Sequence, residues 1–245
     1  MPKTARPCAA DRSACECEAR EKCDVEVIEP SDARAWLRGR VRKKFAAGEA
    51  LFSQGDPCRG VYYLSTGTIG IRRLDPHGNS VLLHLAYPGD TIGYRAFLNG
   101  GEHKTSAEAL GPCIACFLDS RTLAQILKRN PALGLRFQQR TNVELELAHD
   151  ALVQNATLSN RTRLIQLLIM LARRHGRRRA DGSWRIELPM TRVDLASMVG
   201  VRHETLSRII GRLEADGVAA FSGRHVDIAC LRDLSGELHG PPGEN

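Results

Sequence analysis

The sequence predicts an α+β protein, with an antiparallel β domain in its first half and helices in its second half. Short apolar runs separated by glycine-containing turns fill residues 40–120, and turns at this density are typical of a β-sandwich or barrel of short strands. Helical periodicity replaces this pattern from Ser120 onwards. Towards the C-terminus, residues 191–218 contain two helical stretches on either side of a glycine turn, which is a compact supersecondary motif.

Length, composition and hydropathy indicate a globular protein with room for two domains. The chain has 245 residues, of which 42% are hydrophobic, enough for a sizeable core. No apolar run approaches the roughly 20 residues that a membrane-spanning helix needs. Residues 1–20 also lack the apolar stretch of a secretory signal. We therefore expect a cytoplasmic protein with no membrane partner.

Residues 1–25 form a polar, cysteine-rich segment without periodicity. In a reducing compartment stable disulfides are rare, so clustered thiols more often indicate metal or redox chemistry. Four of the eight cysteines of the chain lie in this segment. They are Cys8, Cys15, Cys17 and Cys23, and the remaining four are Cys58, Cys113, Cys116 and Cys230.

The β part is built from apolar runs such as VYYLSTG, TIGIRRL, SVLLHLAYPG and CIACFLD. Glycine recurs in the turns between them because these turns need positive φ angles. The last run carries Cys113 and Cys116, and side chains three residues apart on a strand point to opposite faces. We therefore expect the two sulfurs to diverge, with Cys113, Cys58 and Cys230 as small buried hydrophobic residues.

The helical part begins with a short amphipathic stretch at residues 120–127, followed by a long helix. Pro131 can start that helix, since its missing N–H is unused at the first helical position. The helical stretch then runs without Pro to Leu158 and carries an apolar stripe of imperfect heptad character, which one small barrel cannot bury. We expect the helix to pair with a second copy of itself in a homodimer; a helix that only links two domains is the alternative. The stripe comprises Leu135, Val143, Leu145, Leu147, Leu152 and Val153.

A helix-turn-helix pattern occupies residues 191–218. Thr191 with Asp194 three residues later resembles a capping box, and Gly200 ends the first short helix. The second helix, HETLSRIIGRLEADG, is followed by VAAFSGRHVDIA, which predicts two short strands forming a small wing. A short helix, a glycine turn and a second helix form a DNA-binding motif. Upstream of it we expect a helix at 159–174, a loop at 175–184 and a strand at 185–190.

Positive charge is concentrated around this motif. Residues 161–212 hold twelve Arg and only four acidic residues, whereas the whole chain has a net charge of +7. Such a region is the electrostatic footprint of a protein that binds the phosphate backbone. Glu204 and Arg208 lie on one exposed face of the second helix, where Arg can bond guanine O6 and N7 and Glu can accept from cytosine N4. An ordinary helix salt bridge is the alternative.

From about Val41 to Leu231 the chain resembles the Crp/Fnr family of bacterial transcription regulators. The barrel glycines, the long helix and the stretch HETLSRIIGRL match the family in order. The resemblance implies palindromic promoter DNA, RNA polymerase and a second copy of the chain as partners. It divides the chain into a cluster-binding segment at 1–25, a cyclic-nucleotide-binding-like antiparallel β-roll at 26–130, a dimerisation helix at 131–158 and a winged helix-turn-helix domain at 159–245.

Within the family, the ETLSR pattern resembles the Fnr branch. This implies that Glu204, Ser207 and Arg208 contact bases. Further candidate DNA contacts are Thr191, Arg202, His203, Thr205 and Arg212.

The β-roll departs from two ligand-binding branches of the family. The cyclic-AMP branch uses a Gly-Glu pair and an Arg-Ser pair, whereas this chain has Gly93-Tyr94 and His103-Lys104 at those positions. The carboxylate for the ribose and the Arg for the phosphate are both replaced, so cyclic AMP is not expected. The haem-binding branch uses a Cys near the stretch DTIGYRAF, and this stretch contains none.

Resemblance to the oxygen sensors of the Fnr branch implies a [4Fe–4S] cluster held by four cysteines. Cys17 and Cys23 match the second and third ligands, and Cys116 matches the ligand in the β-roll. The first ligand is Cys15, with one residue before Cys17 where the family pattern has two, or alternatively Cys8.

The resulting hypothesis is a DNA-binding regulator that responds to oxygen or redox state through this cluster. Asp150 is a candidate switch, because like charges across a dimer seam would repel until a signal favours pairing; a merely solvated residue is the alternative. A regulator that uses another ligand, zinc or a thiol switch is the competing hypothesis. An enzyme is not expected, since the sequence has no phosphate loop, no G-x-S-x-G and no H-E-x-x-H motif.

Overall fold

The computed structural model describes residues 24–231 and Leu234. A 3₁₀ turn at Asp24–Val27 comes first. The helices are α1 Pro30–Gly39, α2 Tyr94–Leu98, α3 Ser120–Arg129, α4 Pro131–Thr157, α5 Asn160–His175, α6 Arg192–Val199 and α7 His203–Ala215. The strands are β1 Val41–Phe45, β2 Ala50–Phe52, β3 Gly60–Thr66, β4 Ile69–Leu74, β5 Ser80–Ala86, β6 Thr91–Ile92, β7 Ser106–Ala109, β8 Cys113–Asp119, β9 Gly176–Arg178, β10 Trp184–Glu187, β11 Ala219–Ser222 and β12 His225–Ile228.

The chain forms two compact units, divided within α4 between Leu145 and Glu146. The N-terminal unit holds two antiparallel sheets, ordered β1-β8-β3-β6 and β2-β7-β4-β5. The C-terminal unit holds one antiparallel sheet, ordered β11-β12-β10-β9, together with α5, α6 and α7. This confirms the predicted α+β class with a long helix and a C-terminal helix-turn-helix. None of the helices in the described ranges is long and apolar enough to cross a membrane.

Two hydrophobic clusters form the core of the N-terminal unit. The first is contributed by both sheets and includes Leu64, Ile69 and Ala115. The second lies on the other face of β3 and β8 and includes Trp36 of α1 and Phe137 of α4. Because β8 presents alternate side chains to the two clusters, it joins the sheets to the covering helices.

The boundary between α3 and α4 is set by local hydrogen bonds. Asp119 Oδ1 accepts from the Thr122 amide at 2.9 Å and begins α3. Buried Asn130 follows that helix and donates its side-chain amide to Asp32 at 2.7 Å. Pro131 then begins α4, as predicted from the sequence.

Three parts of the sequence-based picture need correction. The predicted loop at 175–184 contains strand β9, which pairs with β10 in a hairpin. Its sequence, GRR, has no apolar residue, so hydrophobic periodicity gave no strand signal. The strand predicted at 185–190 is observed as β10 at Trp184–Glu187, so it begins one residue earlier and ends three residues earlier. Helices α1 and α2 lie in the range assigned to the β-roll, at positions where no helix was predicted.

Candidate nucleic-acid interface and thiol site

The helix-turn-helix is fixed by its end residues. Thr191 Oγ1 accepts from the Asp194 amide at 3.2 Å, and Asp194 Oδ2 accepts from the Thr191 amide at 3.0 Å, completing the predicted capping box. Gly200 ends α6 in the left-handed region, with φ at 74°. A Cβ at Gly200 would lie 3.3 Å from Asn155 Oδ1, so the turn passes close to the end of α4.

Helix α7 has a buried side and an exposed side. Leu206, Ile210 and Leu213 are buried on one side. The exposed side carries the three candidate base-reading residues, Glu204, Ser207 and Arg208, near the helix N-terminus. Of the other candidate DNA contacts, Thr205 is half-buried, while Thr191, Arg202, His203 and Arg212 are exposed.

The neighbours of these side chains bear on the two alternatives for Glu204 and Arg208. Arg208 Nη2 lies 3.4 Å from Thr205 Oγ1, so the structure places its guanidinium beside Thr205 rather than in an ion pair with Glu204. Ser207 Oγ donates to the carbonyl of His203 at 3.0 Å. This arrangement leaves an exposed carboxylate, hydroxyl and guanidinium side by side, the groups that can address base edges.

Acidic residues beyond position 212 neutralise part of the basic region. Arg185 donates to both carboxylate oxygens of Asp227, at 2.8 and 2.7 Å, and Arg179 lies 3.4 Å from the same residue. Hydrogen bonding from Arg185 lowers the pKa of the Asp227 carboxyl. Arg161 pairs with Asp216 at 2.8 Å. The count of charges along residues 161–212 missed these partners because they come from later in the chain.

Helix α4 carries the predicted apolar stripe as exposed side chains. Leu135, Val143, Leu145, Leu147, Leu152 and Val153 are all more than half exposed. Asp150 is exposed as well, seven residues after Val143 and three after Leu147, so these three lie along one side of the helix. Leu145 and Leu152 lie on a different side, which accounts for the imperfect heptad character.

Strand β8 sends Cys113 and Cys116 to opposite faces, as expected. Cys113 lies in the cluster between the sheets, where burial raises the pKa of its thiol to about 11. Cys116 lies in the cluster under α1, with Sγ 3.7 Å from Ser65 Oγ. Cys58 and Cys230 are only half-buried, which corrects the expectation that both are buried. Both stand outside the strands, Cys58 in the loop before β3 and Cys230 after β12.

The structure describes one of the proposed cluster ligands, Cys116. Cys8, Cys15, Cys17 and Cys23 lie outside the described residues. Within residues 24–231 no group of three or more His, Cys, Asp or Glu could hold a metal ion. Cys116 shares its cluster with Ile28 and Trp36, which belong to the first described segment after Cys23. A thiol facing that segment is compatible with a donor set completed by the N-terminal cysteines.

The positions that bind nucleotide in the cyclic-AMP branch are engaged in packing. Tyr94 is buried, its ring centroid 5.3 Å from that of Phe137, and its hydroxyl donates to Glu144 at 2.7 Å. Burial and the hydrogen bond to Glu144 raise the pKa of Tyr94. His103 is stacked on Phe52 with ring centroids 3.6 Å apart, and burial lowers its pKa.

Comparison with known proteins matches both units. Residues 42–130 match the model of the cyclic nucleotide-binding domain, and residues 162–235 match the Crp-like helix-turn-helix domain. The chain is 26% identical over 198 residues to the anaerobic regulatory protein of Pasteurella multocida, covering 80% of this chain and 72% of that protein. It is 26% identical over 187 residues to the fumarate and nitrate reduction regulatory protein of Escherichia coli K12. That match covers 76% of this chain and 74% of the E. coli protein.

Among solved structures, FixK2 from Bradyrhizobium japonicum superposes with a TM-score of 0.69 at 23% identity. The match covers 80% of this chain and 96% of FixK2. The two domain matches fall on the β domain and on the helix-turn-helix described above. The chain therefore belongs to the Crp/Fnr family and is a DNA-binding transcription regulator of that type.

Proposed function

We propose that this regulator responds to oxygen through a [4Fe–4S] cluster that controls dimerisation and DNA binding. The observation that carries the proposal is the placement of Cys116, whose side chain faces the first described segment after Cys23. Relatives named for anaerobic regulation and for fumarate and nitrate reduction support the same function.

The cluster ligands would be Cys15, Cys17, Cys23 and Cys116, with Cys8 as the alternative first ligand. Bound to four thiolates, such a cluster supplies an oxygen-sensitive link between the N-terminal segment and the β domain. The protein contributes a fixed position for one sulfur, because Cys116 lies within a strand paired on both sides. It also contributes an apolar environment, since Trp36 and Leu118 pack in the same cluster.

The DNA-binding step belongs to α7. Its N-terminal half would enter the major groove, with Arg208 on guanine, Glu204 on cytosine and Ser207 on a third base. Two subunits paired through α4 would place two such helices on a palindromic site, with half-sites about 34–36 Å apart. Asp150 would oppose that pairing through like-charge repulsion until the cluster favours it. RNA polymerase is the partner that the family resemblance implies.

Metal analysis of protein purified without air tests the proposal. The chain should carry about four iron and four sulfide, and Cys116→Ser should lose both. Cys113→Ser is a matched control, because it removes a buried thiol from the same strand on the opposite face. Iron-free wild-type protein, or Cys116→Ser protein with full iron content, would show the proposal to be wrong.

Zinc bound by the N-terminal cysteines, or a switch based on their thiols alone, is the competing function. The spacing of Cys15 and Cys17 favours it, since one residue separates them where the Fnr pattern has two. Colourless protein with stoichiometric zinc, or with no metal and an oxidation-dependent change in DNA binding, would establish it instead.

A further inference from the structure

A buried carboxylate ties the start of the described chain to α4. Asp24 has no exposed surface and directly follows Cys23. Arg140 donates a hydrogen bond from Nη1 to Oδ2 at 2.9 Å, and its Nη2 lies 2.8 Å from Oδ1 as an ion pair. Arg136 Nε lies 3.2 Å from Oδ1, and the Thr91 hydroxyl donates to Oδ2. Asp24 therefore links the 3₁₀ turn at Asp24–Val27 to Thr91 of β6 and to α4.

The strength of this bridge follows from its burial. A carboxylate removed from water is stable only when its oxygens are paired, and breaking a buried pair costs far more than breaking an exposed one. Two guanidinium groups, those of Arg136 and Arg140, lie against the same Asp24 oxygen, so the negative charge is paired from two positions on α4. Movement of the chain at Asp24 away from α4 would break the ion pairs of the Asp24 carboxylate. It would leave the Arg136 and Arg140 guanidiniums without this carboxylate.

A second contact group holds the same side of α4 one turn further on. Glu144 accepts from the Tyr94 hydroxyl and lies 3.1 Å from Arg95 Nη1. Positions 136, 140 and 144 repeat every four residues, so they share one side of the helix. Val143 and Leu147 are exposed, and both are neighbours of Glu144: Val143 directly precedes it, and Leu147 lies three residues later on the adjacent helical turn. A change at Asp24 thus acts on the helix that carries the exposed apolar stripe.

We propose that Asp24 is a positioning residue which couples the segment of the third cysteine ligand to the dimerisation helix through Arg136 and Arg140. This inference rests on the proposed function and deepens it by naming the path from the cysteines to α4. A cluster bound through Cys23 would restrain Asp24, the next residue in the chain, and Asp24 would hold α4 in the arrangement that favours pairing. A purely structural ion pair would stabilise the fold equally with or without the cluster.

The test compares dimerisation of iron-loaded and iron-free protein by sedimentation. In the wild type we expect the dimer dissociation constant to rise about tenfold or more when iron is removed, within the usual range of allosteric coupling. Asp24→Asn keeps the side-chain shape and should retain iron and sulfide, but its two dissociation constants should agree within about twofold. Glu108→Gln is the matched control: it breaks the 2.8 Å pair with Arg72 between β4 and β7 and should keep the full response.

Two further measurements keep the inference testable if Asp24→Asn folds poorly. Arg136→Gln leaves Asp24 paired with Arg140 and should reduce the response only in part. Hydrogen exchange of the amides in residues 136–144 should be faster in Asp24→Asn than in the wild type, both without iron. Iron-loaded Asp24→Asn protein that responds like the wild type would overturn the coupling alone. Wild-type protein that contains no iron when purified without air would overturn the proposed function. In that case, unchanged hydrogen exchange in residues 136–144 of Asp24→Asn would also show that Asp24 does not hold α4.

Discussion

The exposed side chains of Ser207 and Arg208 on α7 have different neighbours, and these neighbours determine what each can offer to DNA. Ser207 is already bonded to the backbone of its own helix at 3.0 Å. Among the residues that the structure describes, the one side-chain contact of Arg208 is the longer 3.4 Å contact with Thr205, near the limit of a hydrogen bond. The Arg208 guanidinium therefore loses little when it turns towards a guanine, where two bonds are possible.

We expect Arg208→Ala to reduce binding at one base position and to relax specificity there. Loss of a bidentate contact to guanine costs about 1–3 kcal/mol. The measurement is binding to a palindromic site in which each base pair is replaced in turn. The preference at one symmetric pair of positions should disappear, while the others keep theirs.

Arg178→Ala is the control for this variant. Arg178 is exposed on β9, outside the helix-turn-helix, and would contact phosphate. Removal of the Arg178 side chain should weaken binding to all DNA sequences to the same extent. An unchanged base preference in Arg208→Ala would contradict the assignment of α7 as the reading helix.

His103 makes the stability of the N-terminal unit depend on pH. Burial lowers its pKa, and the nearby Asp56 opposes this more weakly. The unfolded chain, with a His pKa of about 6.5, therefore binds more protons than the folded one in mildly acidic solution. The contribution of His103 to the free energy of unfolding is fully present above the unfolded pKa of about 6.5. It is lost as the pH falls from there through the lower pKa of the folded state.

We expect His103→Phe to flatten this pH dependence between about pH 7 and pH 5. Phenylalanine keeps a ring against Phe52 but cannot take up a proton. Urea unfolding, followed by the fluorescence of Trp36 in chains that also carry Trp184→Phe, measures the effect. His77→Gln, at an exposed position in the β4–β5 turn, should leave the slope unchanged. Wild-type slope in His103→Phe would mean that His84, whose pKa burial also lowers, accounts for the effect.

At the scale of elements, the sequence predicts the helix ends that are marked by residues at the ends themselves. Thr191, Gly200 and Pro131 mark helix ends by their own chemistry, and the structure places the ends there. Strand β9 forms although its sequence is polar, because β10 supplies the pairing. The ion pair of Arg185 with Asp227 joins residues 42 positions apart, and that of Asp24 with Arg140 joins residues 116 apart. No local pattern encodes such contacts, so they could not be predicted.

Two glycines in the helix-turn-helix should respond oppositely to the same substitution. Gly200 has positive φ and approaches Asn155, so Gly200→Ala should destabilise the C-terminal unit by about 1–2 kcal/mol. Gly211 lies within α7 with no atom near a Cβ position, so Gly211→Ala should stabilise it by about 0.5–1 kcal/mol. Thermal unfolding measures both. Destabilisation by Gly211→Ala would show that its surface is packed against something else.

At the scale of the whole molecule, the proposed dimer presents every DNA contact twice. A charge removed from one chain is removed from both half-sites, so its effect on salt dependence doubles. The basic surface is not uniform, since Asp227 and Asp216 neutralise Arg185 and Arg161. Arg177, exposed on β9, is therefore a stronger candidate for a phosphate contact than either of those arginines.

We expect Arg177→Ser to lower the slope of log binding constant against log salt by about 2, because each phosphate contact contributes about 0.9 and the dimer has two copies. Lys128→Ser is the control, since it removes the same charge from an exposed position on α3 in the other unit. It should leave the slope nearly unchanged. Equal reductions in both variants would mean that net charge, rather than contact with phosphate, sets the salt dependence. A reduction of about 1 for Arg177→Ser would instead mean that only one chain of the dimer engages the DNA.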